Sequence, residues 1–152
     1  MRVYLPATVA TLAALARTGE LGPAPLTGYA VTAALQETYA DSDEEELEYL
    51  ATTLAAEDSF RLVTQPPAAP AEGAAPAARR VVVVADLPDR QVAHRPEPLG
   101  AVEVADPVPH SAIAAFHLDD PDFALDPADP EAAAEQELLW YAAQELGDLV
   151  DP

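Results

Sequence analysis

The sequence predicts an α+β or α/β fold: a single domain over residues 1–152, built as a two-layer sandwich. A mixed sheet of about four strands starts with a βαβ unit and carries its helices mainly on one face. Three observations predict it. A β-type run, a helical repeat and a second β-type run follow one another within the first 32 residues, the order of a right-handed βαβ unit with parallel strands. Val81-Val82-Val83-Val84-Ala85 is β-branched and uninterrupted, the pattern of a central strand buried on both faces. Two further stretches, one early and one at the end, repeat apolar residues at helical spacing.

Taken in order, Arg2-Val3-Tyr4-Leu5 is the first strand. Thr8 stands where an N-cap belongs, Val9, Leu12, Ala13 and Ala16 follow at helical spacing, and Gly19 and Gly22 supply the stop. Tyr29 to Thr32 reads as the second strand and Ala33 to Tyr39 as a short helix. Ser42 with Glu45 forms a capping box, and Asp43, Glu44, Glu45 and Glu46 place anions where the helix dipole favours them. Leu47, Leu50, Ala51 and Leu54 then make one apolar stripe, which predicts a helix from Asp43 to Glu57 or as far as Leu62.

Residues 64–78 are rich in Pro and Ala and predict a mobile loop within the domain. Ala101-Val102-Glu103-Val104 alternates like a half-buried strand and is expected to pair with the Val81 strand. Ser111 to His117 reads as a short helix with Ile113 and Phe116 inward. Residues 119–130 form an acidic Asp-Pro loop. Asp129 and Pro130 then open a C-terminal helix to Leu146, with Leu139, Ala142, Leu146 and Leu149 as its stripe.

The charge is unevenly spread. The chain has no lysine, seven arginines and a formal charge of −20, and residues 96–152 carry 14 carboxylates and no cation. Such a surface repels phosphate backbones and anionic membranes and steers toward basic proteins, so neither direct nucleic-acid binding nor a membrane surface is expected. No stretch approaches about 18 consecutive apolar residues, and the first residues lack the form of a signal peptide. The chain has no cysteine, which fits a reducing compartment; a cytoplasmic location is expected. Abundant Ala, Pro and Asp without Lys also suit a GC-rich genome, so part of the acidity is compositional.

Catalytic motifs are sparse. Without Lys there is neither a P-loop nor a Schiff base, the glycines never form G-x-G-x-x-G, and none of the three serines lies in G-x-S-x-G. His110 and His117, seven residues apart on one helix, would stand about 10 Å apart along its axis, too far to share one metal. Asp41, Asp43 and Glu45 begin like a calcium loop, but the glycine and the closing glutamate of that loop are missing. No catalytic residue, metal ligand or cofactor is assigned.

The stretches MRVYLPAT at the start, GYAVTAALQE (Gly28 to Glu37), DEEELEYLA (Asp43 to Ala51), VVVVADLPD (Val81 to Asp89) and ELLWYAAQEL (Glu137 to Leu146) resemble a family of small actinobacterial proteins, a domain of unknown function. The resemblance spans nearly the whole chain. It implies one cytoplasmic bacterial domain and no known activity.

The candidate interaction surface is Trp140 and Tyr141 beside Asp119, Asp120, Asp122 and Asp126, an aromatic anchor on an acidic ground. The leading expectation is a non-enzymatic interaction or regulatory protein that binds a basic protein partner through its acidic C-terminal third. The alternative is a small carboxylate- and His-based enzyme or ligand-binding domain, with a divalent metal as an option. The sequence sets no oligomeric state.

Overall fold

The computed structural model describes residues 1–64 and 78–150. The elements run β1 (Arg2–Ala7), α1 (Val9–Thr18), β2 (Glu20–Leu21), β3 (Leu26–Tyr29), α2 (Ala33–Thr38) and α3 (Glu44–Thr64). They continue with β4 (Val81–Asp86), β5 (Val92–His94), β6 (Ala101–Val104), β7 (Val108–Pro109), β8 (Ile113–Leu118), α4 (Pro130–Glu135), β9 (Leu139–Ala142) and α5 (Leu146–Val150). The fold is α+β. Its sheet has seven strands in the order β5-β6-β3-β1-β4-β8-β9, with a second ribbon of β2 and β7. The predicted mobile loop over 64–78 lies almost wholly outside the described residues; its first residue, Thr64, ends α3.

The expected four-stranded mixed sheet is thus corrected. All pairings in the seven-stranded sheet are antiparallel, β1 with β3 included, where Tyr4 faces Tyr29. There is no βαβ crossover because Glu20 and Leu21 pair with Pro109 and Val108. That excursion redirects the chain after α1, so β3 enters the sheet from the opposite end.

The helices cover both faces. Val3, Leu5, Val81, Val83 and Phe116 pack with Leu12 and Leu15 of α1 and Leu146 and Leu149 of α5. Tyr4, Tyr29, Val82, Val84 and Ala115 pack on the other side with Ala51, Ala55 and Ala56 of α3. The alternation along Val81–Ala85 feeds both layers, and β4 lies between β1 and β8, central as its composition predicts.

Other elements moved for identifiable reasons. Ala101–Val104 pairs with β3 and β5, not with the Val81 strand. Ser111–His117 is not a helix but a 3₁₀ turn leading into β8. A register shift opposite Val84 and Ala85 puts one extra residue, Ala114, into β8, so Ile113 and Phe116 share a face at a spacing of three, which imitates a helix. The predicted C-terminal helix stops at Glu135. Leu139–Ala142 turns into the edge strand β9, and the helix resumes as α5.

Capping follows the sequence with one shift. Thr8 caps α1 in a box with Thr11, Gly19 closes it with a φ of 84°, and Asp129 caps α4. At α3, Asp43 rather than Ser42 accepts the Glu46 N–H, at 2.9 Å. Small residues on α3 then let it lie close on the sheet. On the other face of the sheet, Gly28 of β3 leaves room for β1: a Cβ there would sit 2.7 Å from the Tyr4 carbonyl oxygen and 2.8 Å from Leu5 Cδ2.

Ser59 ties α3 to the sheet. Its hydroxyl donates to the Ala7 carbonyl and accepts the Val81 N–H, both at 2.8 Å, bridging a cross-strand pair. Ser59→Ala leaves a buried donor and a buried acceptor without that partner. The expected result in urea unfolding is a loss of roughly 2–6 kcal/mol, at about 1–3 for each of the two unsatisfied groups. A loss below about 1 kcal/mol would show that the two groups pair directly once the hydroxyl is gone.

Candidate functional site

Helix α3 packs over β3, β1 and β4. Where β8 and β9 extend past it, a cleft of about 540 Å³ opens between the helix and the sheet edge. Glu45, Glu48, Tyr49, Thr52, Thr53, Ala56 and Glu57 of α3 form one wall. Ala134, Gln136, Glu137, Leu138 and Trp140 form the other. The floor is the sheet: Arg2, Tyr4, Arg80, Val84, Ala114, Ala115 and His117.

Pairing explains which side chains arrive there. His117 stands opposite Val82 on one side and opposite Trp140 on the other. Val82 packs toward α3, so His117 and Trp140 share that face. Trp140 remains 62% exposed and Tyr49 65%, two aromatic rings on facing walls.

Both cations of the cleft are already paired. Arg2 meets Asp86 with Nε–Oδ1 and Nη2–Oδ2 distances of 2.9 and 3.0 Å, which holds the Asp86 carboxyl below its usual range. Arg80 donates Nη2 to Asp119 Oδ1 at 2.6 Å, Nε to Oδ2 at 3.0 Å and its backbone N–H to Oδ2 at 2.8 Å. Its Nη2 also reaches the Gln136 carbonyl at 3.1 Å, joining the floor to the α4–β9 wall. By contrast, Glu45, Glu48, Glu57 and Glu137 make no ion pair among the described residues. The cleft is therefore electronegative with its cations neutralised.

Burial acts on two titratable groups of the floor. Burial, reinforced by Glu48, pushes the Tyr4 hydroxyl up to about 12. Burial lowers the His117 pKa and so favours the uncharged ring. Neither side chain makes a hydrogen bond within the described residues. No group of three or more His, Asp or Glu among those residues is arranged to hold a metal ion.

The model of a family of unknown function (DUF6912) matches residues 1–150. The chain belongs to that family. No curated protein and no solved structure matches it. The match runs over nearly the whole chain, the extent implied by the quoted stretches. Among the described residues, no helix of this family member is long and apolar enough to cross a membrane.

Of the residues singled out in the sequence, Trp140 enters the cleft. Its neighbour Tyr141 turns to the opposite face and packs with the α1/α5 layer, as strand alternation requires. Asp119, placed by the sequence in a solvated loop, is instead fully buried on Arg80. Asp120 and Asp126 fold the following loop, accepting the N–H groups of Asp122 and Ala128 at 2.9 Å, and with Asp122 they stand outside the cleft. His110 bonds the Ala143 carbonyl at 2.9 Å and does not meet His117 in the cleft.

The sequence singles out none of Tyr4, Tyr49, Glu48 and Glu57 for a site, and His117 enters it only as a metal ligand weighed with His110 and set aside. A signal existed for the helix wall: Glu45, Glu48, Tyr49, Thr52, Thr53 and Ala56 recur at i, i+3, i+4, i+7, i+8 and i+11, a second stripe beside the apolar one.

Proposed function

We propose that this protein is a non-enzymatic interaction or regulatory module of an actinobacterial cytoplasm that receives a basic segment of a partner protein in the α3–β9 cleft. The observation that carries the reading is the exposed Trp140 sharing one cleft with four carboxylates that make no ion pair among the described residues. An aromatic anchor gives contact area, and the carboxylates select a cation. Reducing conditions suit a chain without cysteine, and the Ala-rich, lysine-free composition suits a GC-rich genome.

The dimensions favour a peptide segment. Glu45 and Glu57 lie twelve residues apart on α3, about 18 Å at 1.5 Å per residue. An extended chain of about five residues covers that length. The acidic loop around Asp120, Asp122 and Asp126 adds long-range attraction without contact.

The test is a parallel capture from native lysate on immobilised wild-type protein and on a Trp140→Ala variant, eluted with rising salt and read by mass spectrometry. A basic protein held to high salt by the wild type and released early by the variant is the expected result. The same cationic proteins leaving both columns at the same modest salt would sink the proposal, since the charge would then act without the cleft.

A further inference from the structure

We infer that the anchoring group of the basic segment is an arginine side chain, seated with its guanidinium between Tyr49 and Trp140 and hydrogen-bonded to Tyr4 and His117 on the cleft floor. This rests on the proposed reading and specifies its ligand.

Tyr4 provides the independent observation. The residue is 95% buried (5% exposed), yet its hydroxyl makes no hydrogen bond among the described residues and opens into the cleft. The tip of the side chain is open to the cleft, so a donor on a ligand can reach its oxygen. The His117 ring, across β4 and two residues along from the position level with Tyr4, is likewise without a partner among those residues and, when neutral, offers one acceptor and one donor. The floor thus presents neutral acceptors, while the carboxylates stand on the two walls.

That arrangement distinguishes the two natural cations. Guanidinium is planar, carries five donors in a fixed fork, stacks on aromatic faces and is weakly hydrated, so it can enter a half-buried cleft and satisfy neutral acceptors. An ammonium is a compact, strongly hydrated point charge that gains little from aromatic walls of this kind when half-desolvated. An anion is disfavoured, because both arginines are committed to Asp86 and Asp119.

Trp140 is the one tryptophan of the chain, so its fluorescence reports occupancy directly. The probes are a blocked pentapeptide Ala-Arg-Ala-Arg-Ala, its lysine counterpart and N-acetylarginine amide. The arginine peptide should perturb Trp140 emission and bind about ten-fold or more tighter than the lysine peptide, the worth of one hydrogen bond to a charged group. Tyr4→Phe should shrink that ratio by weakening the arginine peptide alone, at an unchanged melting temperature; His117→Leu is the second variant if Tyr4→Phe does not fold.

Equal affinity for the two peptides would overturn the arginine assignment and leave the basic-segment reading standing. Absence of binding by either peptide would overturn both. N-acetylarginine amide binding as tightly as the peptide would overturn the protein-borne source and point to a small guanidino compound.

Discussion

Asp119→Ala is expected to destabilise the protein by roughly 3–5 kcal/mol, the range for removing one partner of a buried ion pair. The carboxylate is fully buried and accepts from the Arg80 backbone N–H, Nε and Nη2. Its own backbone carbonyl receives Nε and Nη2 of Arg79 at 3.0 and 2.6 Å. The substitution spares that carbonyl and leaves the Arg80 guanidinium buried without its counter-charge. Against a total stability of about 5–15 kcal/mol for a domain, such a loss moves the urea midpoint far. The double variant Arg80→Met/Asp119→Leu should recover most of it, because a buried pair replaced by apolar groups is often neutral or stabilising. A single variant within about 1 kcal/mol of wild type would show that water reaches the pair and screens it.

The same pair explains why the sequence misplaces Asp119. In composition it is one of several Asp residues in an Asp-Pro-rich stretch, and nothing local separates it from Asp120 or Asp122. Its role comes from Arg80, 39 positions earlier, brought alongside only when β4 and β8 pair. What is local is legible: the Thr8 and Asp129 caps, the long helix α3 and the central Val81 strand all follow from short-range preferences.

What could not be read is long-range or below pattern length. β2, β5 and β7 are two or three residues long, and the bulge in β8 destroys the period of two that would have marked it as a strand. At Leu138-Leu139-Trp140-Tyr141 the error is one of period. Four bulky residues fit a helix stripe loosely, but they fit alternating faces better once β8 offers a partner, with Leu138 on the α3 side and Tyr141 on the other. The cleft inherits both difficulties, since its walls come from α3 and β9 and its floor from β1, β4 and β8.

The second large effect separates two acidic surfaces that the sequence alone treats as one. Glu48→Lys with Glu57→Lys is expected to weaken binding of the alternating arginine pentapeptide by more than about 100-fold, since like charges brought together in a contact cost several kcal/mol. Both residues line the cleft, and neither makes an ion pair among the described residues, so the substitutions break no such pair and the helix should keep its packing.

Asp120→Asn, Asp122→Asn and Asp126→Asn together shift the charge by three units against four for the cleft pair, yet they should cost only a few-fold at low salt. That residue should vanish near physiological ionic strength, where the screening length is about 8 Å. Asn keeps the Oδ1 acceptor that Asp120 and Asp126 use in their turns, so the loop retains its shape and only charge is tested. Titrations of both variants at two salt concentrations decide the matter. If the loop variant loses as much affinity as the cleft variant at the higher salt, the binding surface is the acidic loop and the cleft is a packing gap beside α3. If only the cleft variant loses it, contact with Glu48 and Glu57 is what holds the peptide, and the loop merely gathers it.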